Sequence, residues 1–101
     1  MIKIEIPNQI RIAGFEYTIL INPENDKELD AENIYGKVSS ELGNIALLSR
    51  CDASQMSYNF THEILHAISH HFIAELTENQ VKALASGLHQ VLEQLGLRFR
   101  K

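Results

Sequence analysis

Two periodicities divide the chain. Alternation dominates the first half. Ile2, Ile4 and Ile6 fall on one face of a strand that Pro7-Asn8 interrupts. Ile10-Arg11-Ile12 and residues 15–21 predict two further strand segments around Ala13-Gly14, a tight hairpin. Residues 34–39 and 44–49 predict an antiparallel pair around Glu41-Leu42-Gly43-Asn44. Between these pairs, 23–33 carries Glu24, Asp26, Glu28, Asp30 and Glu32 against Lys27, and is expected to form a solvated loop or short helical turn.

The second half follows a helical repeat. Asp52-Ala53-Ser54-Gln55 resembles a capping box, opening a helix expected over about 53–72. At about 100° per residue, Met56, Phe60, Ile64, Ala67 and Ile68 gather on one broad side, flanked by Leu65 and Phe72. Gln55, Asn59, His62, Glu63, His66, Ser69 and His70 gather on the other. Thr77-Glu78-Asn79-Gln80 is a second capping box, followed by Val81, Leu84, Ala85, Leu88, Leu92 and Leu95 at helical spacing. Gly96 suits the C′ position of that helix, expected over about 78–95. Strands over about 2–49 and two helices after them predict an α+β fold in one domain, 1–101. The short connection between the helices predicts roughly antiparallel packing.

Composition narrows the function classes. The 101 residues are 45% hydrophobic and 22% charged, as in ordinary globular chains. A net charge of −4 offers no broad basic field for nucleic acid. Arg98, Arg100 and Lys101 read as a solvated basic tail. The alternating start is unlike a signal peptide, and no apolar run approaches the roughly 18 residues of a membrane span. A lone Cys51 excludes an intrachain disulfide and fits a reducing cytoplasm. Neither nucleic acid nor membrane is therefore an expected partner.

Chemistry concentrates at His62-Glu63-Ile64-Leu65-His66, an HExxH pattern. On a helix, positions i and i+4 share a face, so both imidazoles can reach one Zn²⁺. Glu63 stands about 100° around from His62, beside the metal, where it can act as general base on a water. A catalytic zinc takes three protein ligands. His70 lies about 12 Å along the axis from His62, too far to share the ion. Glu78, opening the second helix, is the best candidate; Glu75, in the connection, is the other. His89, about three turns beyond Glu78, is expected at the surface, and His71 is expected to pack or lie exposed.

His62-Glu63-Ile64-Leu65-His66-Ala67-Ile68, with Glu78-x-x-Val81-x-x-Leu84-Ala85-x-x-Leu88, resembles the short gluzincins. These include the ImmA/IrrE-type metallopeptidases of phages and mobile elements and the minigluzincins. Val81 and Lys82 depart from the Ala and Asn usual there. The resemblance spans roughly residues 34–95. It implies a minimal zincin-like domain, a small twisted and mainly antiparallel sheet on an active-site helix and a glutamate helix. It also implies that 44–49 is the edge strand beside the cleft, where a peptide or protein substrate adds as an extended strand.

The expected activity is zinc-dependent hydrolysis of peptide bonds, with His62, His66 and Glu78 as ligands and Glu63 as base. Tyr58, Tyr35 and His70 are candidate oxyanion donors. The alternative is a catalytically idle zinc-binding regulatory or accessory protein of a phage or mobile element. The aromatic basic tail Arg98-Phe99-Arg100-Lys101 is expected to be a frayed end; the alternative is a cover for the cleft whose charges meet the acidic stretch 24–32.

Overall fold

The computed structural model describes residues 1–72 and 75–101. The fold is α+β, with elements in the order β1 (Ile2–Glu5), β2 (Gln9–Ile12), β3 (Phe15–Leu20), α1 (Pro23–Ala31), β4 (Gly36–Ser39), β5 (Asn44–Leu47), α2 (Ala53–His71), α3 (Glu78–Gln94) and β6 (Leu97–Arg100). No helix among the described residues is long and apolar enough to cross a membrane.

Local sequence explains the turns. Ala13 and Gly14 both take positive φ, as a two-residue hairpin turn requires, and Ile12 pairs with Phe15 across it. β4 and β5 form the second antiparallel pair, closed by a turn in which Gly43 has positive φ. A parallel β3–β5 contact joins the two hairpins into one sheet of order β2-β3-β5-β4. The edge strand on the α2 side of the hairpin is therefore β4, and β5 is interior. This corrects the expectation that 44–49 forms the edge. The chain leaves β3, crosses through α1 to the rim, and turns back to lie beside β3.

Alternation then assigns the faces. Ile19, Ile45 and Leu47 point to one side and form the core with Tyr17, Met56, Phe60 and Ala67. Leu20, Asn44 and Ala46 point to the other, where Leu29 of α1 lies against them. The sheet thus separates α2 from α1. The acidic stretch is a regular nine-residue helix rather than a loop. Asn22 caps it through the Asn25 N–H, Pro23 opens it, and Leu29 supplies its buried anchor. Asp26, also buried, accepts hydrogen bonds from the Ser49 backbone N–H at 2.9 Å and from the Ser49 hydroxyl. That contact ties α1 to the segment leading into α2.

The C-terminus departs most from expectation. Residues 97–100 are not a solvated tail. They form β6, parallel to β1, with Ile2 opposite Leu97 and Ile4 opposite Phe99. Phe99 stacks edge-on against Phe60 at 5.0 Å, and its N–H donates to Ser57 Oγ at 3.0 Å. Arg98 pairs with Glu93 at 2.7 Å and not with the acidic helix. Gly96, with positive φ, is the C′ residue that turns α3 into β6.

Candidate metal centre

Two helix starts position the site. Asp52 caps α2 by accepting from Gln55 N, while the Gln55 amide bonds Asn59 instead of returning to the cap. Thr77 and Gln80 form both halves of a capping box. This places Glu78 in the first turn of α3, and α3 packs along α2 so that its start lies beside the middle of that helix. The polar stripe of α2 and the first residue of α3 meet there.

His62 Nε2 and His66 Nε2 stand 3.1 Å apart. Glu78 reaches both, with Oε1 3.0 Å from His62 Nε2 and Oε2 2.8 Å from His66 Nε2. An imidazole nitrogen offers one proton or one lone pair, so His62 Nε2 cannot satisfy both neighbours in a metal-free arrangement. One cation at their focus can. Bonds of about 2.0–2.1 Å in tetrahedral geometry separate ligand atoms by roughly 3.3 Å, close to the spacings present. The two-nitrogen, one-carboxylate donor set is also one that zinc takes at catalytic sites. The residues fit the ion.

The remaining candidates are elsewhere. Glu75 takes a positive φ in the connection, is exposed, and is outside the cluster. His70 is exposed and lies on the far side of His66, in a recess shared with Glu63, Val38 and Ser40. His71 stacks on Phe15 and bonds the Tyr17 hydroxyl, a packing role. His89 is not at the surface: it lies half-buried, edge-on to Tyr58, with Nε2 3.6 Å from Glu93 Oε1 and without a hydrogen-bond partner among the described residues. Cys51 is half-buried before α2, with its sulfur accepting from Asn59 Nδ2 at 3.6 Å.

Glu63 is buried, and its carboxylate has no hydrogen-bond partner among the described residues. Burial first, and the Glu78 charge second, push its pKa up to about 7. β4 passes directly over it. A Cβ at position 36 would stand 2.9 Å from Glu63 Oε2 and 3.0 Å from its Cγ, which is why glycine occupies that position. Burial also holds the His62 imidazole below its ordinary pKa, against the raising effect of Glu78.

A cleft of about 570 Å³ opens over the cluster, with Tyr35, Gly36, Tyr58 and Lys82 in its wall beside His62, His66 and Glu78. Of the three candidate oxyanion donors, Tyr35 and Tyr58 line this cleft and His70 does not. Neither Gly36 nor Lys82 is named as a site residue by the sequence. Lys82 had a signal, since it follows Glu78 by one turn on the same side of α3. Gly36 had none, because its role depends on a residue of another element. No protein-family model, curated protein or solved structure matches the chain.

Proposed function

We propose that this protein is a zinc-dependent metallopeptidase, in which His62, His66 and Glu78 hold the ion and Glu63 is the general base. The observation that carries the reading is the focus of two Nε2 atoms and one carboxylate within about 3 Å of each other, next to a buried and unpaired Glu63. Bound there, zinc supplies Lewis acidity, polarising a carbonyl and bringing a water pKa to around 7. Glu63 accepts the proton of the attacking water and passes it to the leaving amine. Tyr35 and Tyr58 line the same cleft and are the candidate hydroxyl donors to a developing oxyanion.

The substrate reading follows from β4. It is an edge strand, and its first residue lines the cleft beside the ligands. An extended peptide or unfolded protein segment can add along it by main-chain hydrogen bonds, bringing a peptide bond to the cluster. The lone thiol of Cys51 suits a cytoplasmic setting. This agrees with the gluzincin resemblance of the two motifs.

One observation favours a second reading. Glu63 opens toward Ser40 and His70 rather than into the cleft with the two tyrosines, which suits an idle zinc-binding regulatory protein of a phage or mobile element. The same experiment separates the two. Zinc content and hydrolysis of a denatured protein are measured for the wild type and Glu63→Gln. Peptidase activity predicts equimolar zinc in both and cleavage by the wild type alone, reduced by at least about 100-fold in the variant. Zinc in both with cleavage in neither selects the idle protein, and no zinc in folded wild type removes both readings.

A further inference from the structure

Along the flank of α3, beside its contact with α2, a row of apolar residues stands open to solvent. Leu84, Leu88, Val91 and Leu95 are 51%, 43%, 51% and 68% exposed. At about 100° per residue they fall within an arc of roughly 60°. Their spacings of four, three and four residues are those of alternating d and a positions in a heptad seam. Val81 starts the same series and is fully buried against the rest of the molecule. Ile68 on α2 is also exposed, and with Leu65, Leu88 and Leu92 it lines an apolar notch of about 110 Å³ between the helices. Scattered surface leucines need no explanation, but a contiguous row in seam register does.

We propose that this face pairs with the same face of a second copy of the chain, α3 packing antiparallel on α3 about a two-fold axis. Charge is the first argument for a second copy. Residues 83–92 carry no Asp, Glu, Lys or Arg, and the solvent flank of the row is Gln80, Gly87 and Gln94. Lys82 and Glu93 lie on the opposite arc of the helix, and Glu78 stands about 110° around from the centre of the row. With a net charge of −4, two copies repel over much of their surfaces, and here they can meet without bringing carboxylates together.

Self-complementarity is the second argument. A two-fold axis crossing α3 between residues 89 and 90 sets Leu84 against the partner's Leu95 and Leu88 against the partner's Val91. Every exposed member of the row then meets another. Gly87 is the third. Glycine inside a helix costs about 1 kcal/mol relative to alanine. A Cβ at 87 would meet nothing within 4 Å, so the single chain does not require glycine there. On the flank of a seam it admits a second backbone at close range. The metal cluster lies on the other arc of α3, so pairing leaves the cleft open and does not depend on the ion.

Sedimentation equilibrium of the full chain, with and without chelator, tests the proposal. A seam of three turns is smaller than a standard interface, and a dimer dissociating on the order of tens of micromolar is expected. Val91→Glu should weaken it by about 100-fold, because the change buries like charges near the axis, with circular dichroism unchanged. Leu84→Gln, a neutral change at a half-open position, should weaken it about tenfold and repeats the test if Val91→Glu misfolds. Gly87→Ala should raise the melting temperature of dilute monomer yet weaken the dimer, a split that a merely solvated glycine would not give. Leu42→Glu, at a more open site on the β4–β5 turn, should change nothing. Wild type that stays monomeric to about 0.5 mM, or a dimer indifferent to both Val91→Glu and Leu84→Gln, overturns the proposal. So does monomer that instead binds neutral lipid vesicles through this face.

Discussion

At the centre of the buried face of α2, Met56, Phe60 and Ala67 pack beneath the sheet; along the polar side of that same face, Asn59 and Glu63 are withdrawn from water almost as fully. The apolar side gains from its burial, at about 25 cal/mol per Å² removed from water. The polar side is strained by the same burial. Glu63 has no protein partner for its charge among the described residues, and the His62 imidazole resists protonation. One helix therefore carries both the anchor of the core and a cluster arranged against folding stability. Functional sites are where such conflicts are tolerated, because the core elsewhere offsets them.

Substitutions can break the comparison at either side. Phe60→Ala removes the ring that meets Phe99 and the core, and is expected to cost about 4 kcal/mol of unfolding free energy, read by urea titration. A loss under about 1 kcal/mol would mean that β6 does not pack there.

Glu63→Gln should act in the opposite direction in chelator-treated protein. A group whose folded pKa is raised binds its proton more tightly in the native state, so its contribution is fully present below about pH 4.5 and is lost as pH rises through about 7. At 1.36 kcal/mol per pH unit, the rise from 4.5 to about 7 corresponds to about 3 kcal/mol. The variant should exceed the wild type by up to about that amount at pH 8 and by little at pH 4.5. Equal urea midpoints at both pH values would show that the carboxylate is better solvated than its burial indicates.

Glu78→Ala sharpens the comparison from α3. It should leave the fold intact, since Thr77 still caps the helix, while zinc affinity falls by about 100-fold, near 2.8 kcal/mol. Competitive titration with a chromophoric chelator reads this, and an unchanged affinity would take Glu78 out of the ligand set.

What could be read before the fold was known was local. The pair His62 and His66 needs only helical spacing, and Asp52, Thr77 and Gly96 mark helix ends by chemistry within a few residues. The Ala13-Gly14 turn is of the same kind. Glu78 could be named as a candidate because the capping box placed it in a first turn. Its choice over Glu75 rested on how α3 lies along α2, which decides which carboxylate arrives at the imidazoles.

The rest needed the tertiary structure, because it depends on residues distant in sequence. β6 pairs with β1 across nearly the whole chain, and nothing in Leu97-Arg98-Phe99-Arg100 names its partner. The acidic stretch became a helix because Leu29 found a sheet face and Asp26 found Ser49, two tertiary contacts that override a charge-rich composition. His89 is withdrawn from solvent beside Tyr58, a residue of another helix. The edge passed from β5 to β4 because the parallel β3–β5 contact occupies one side of β5, and Gly36 matters only because that edge crosses Glu63. Spacing along one helix determined which side chains can share an ion; packing between elements decided which third group joins them and which strand stands beside them.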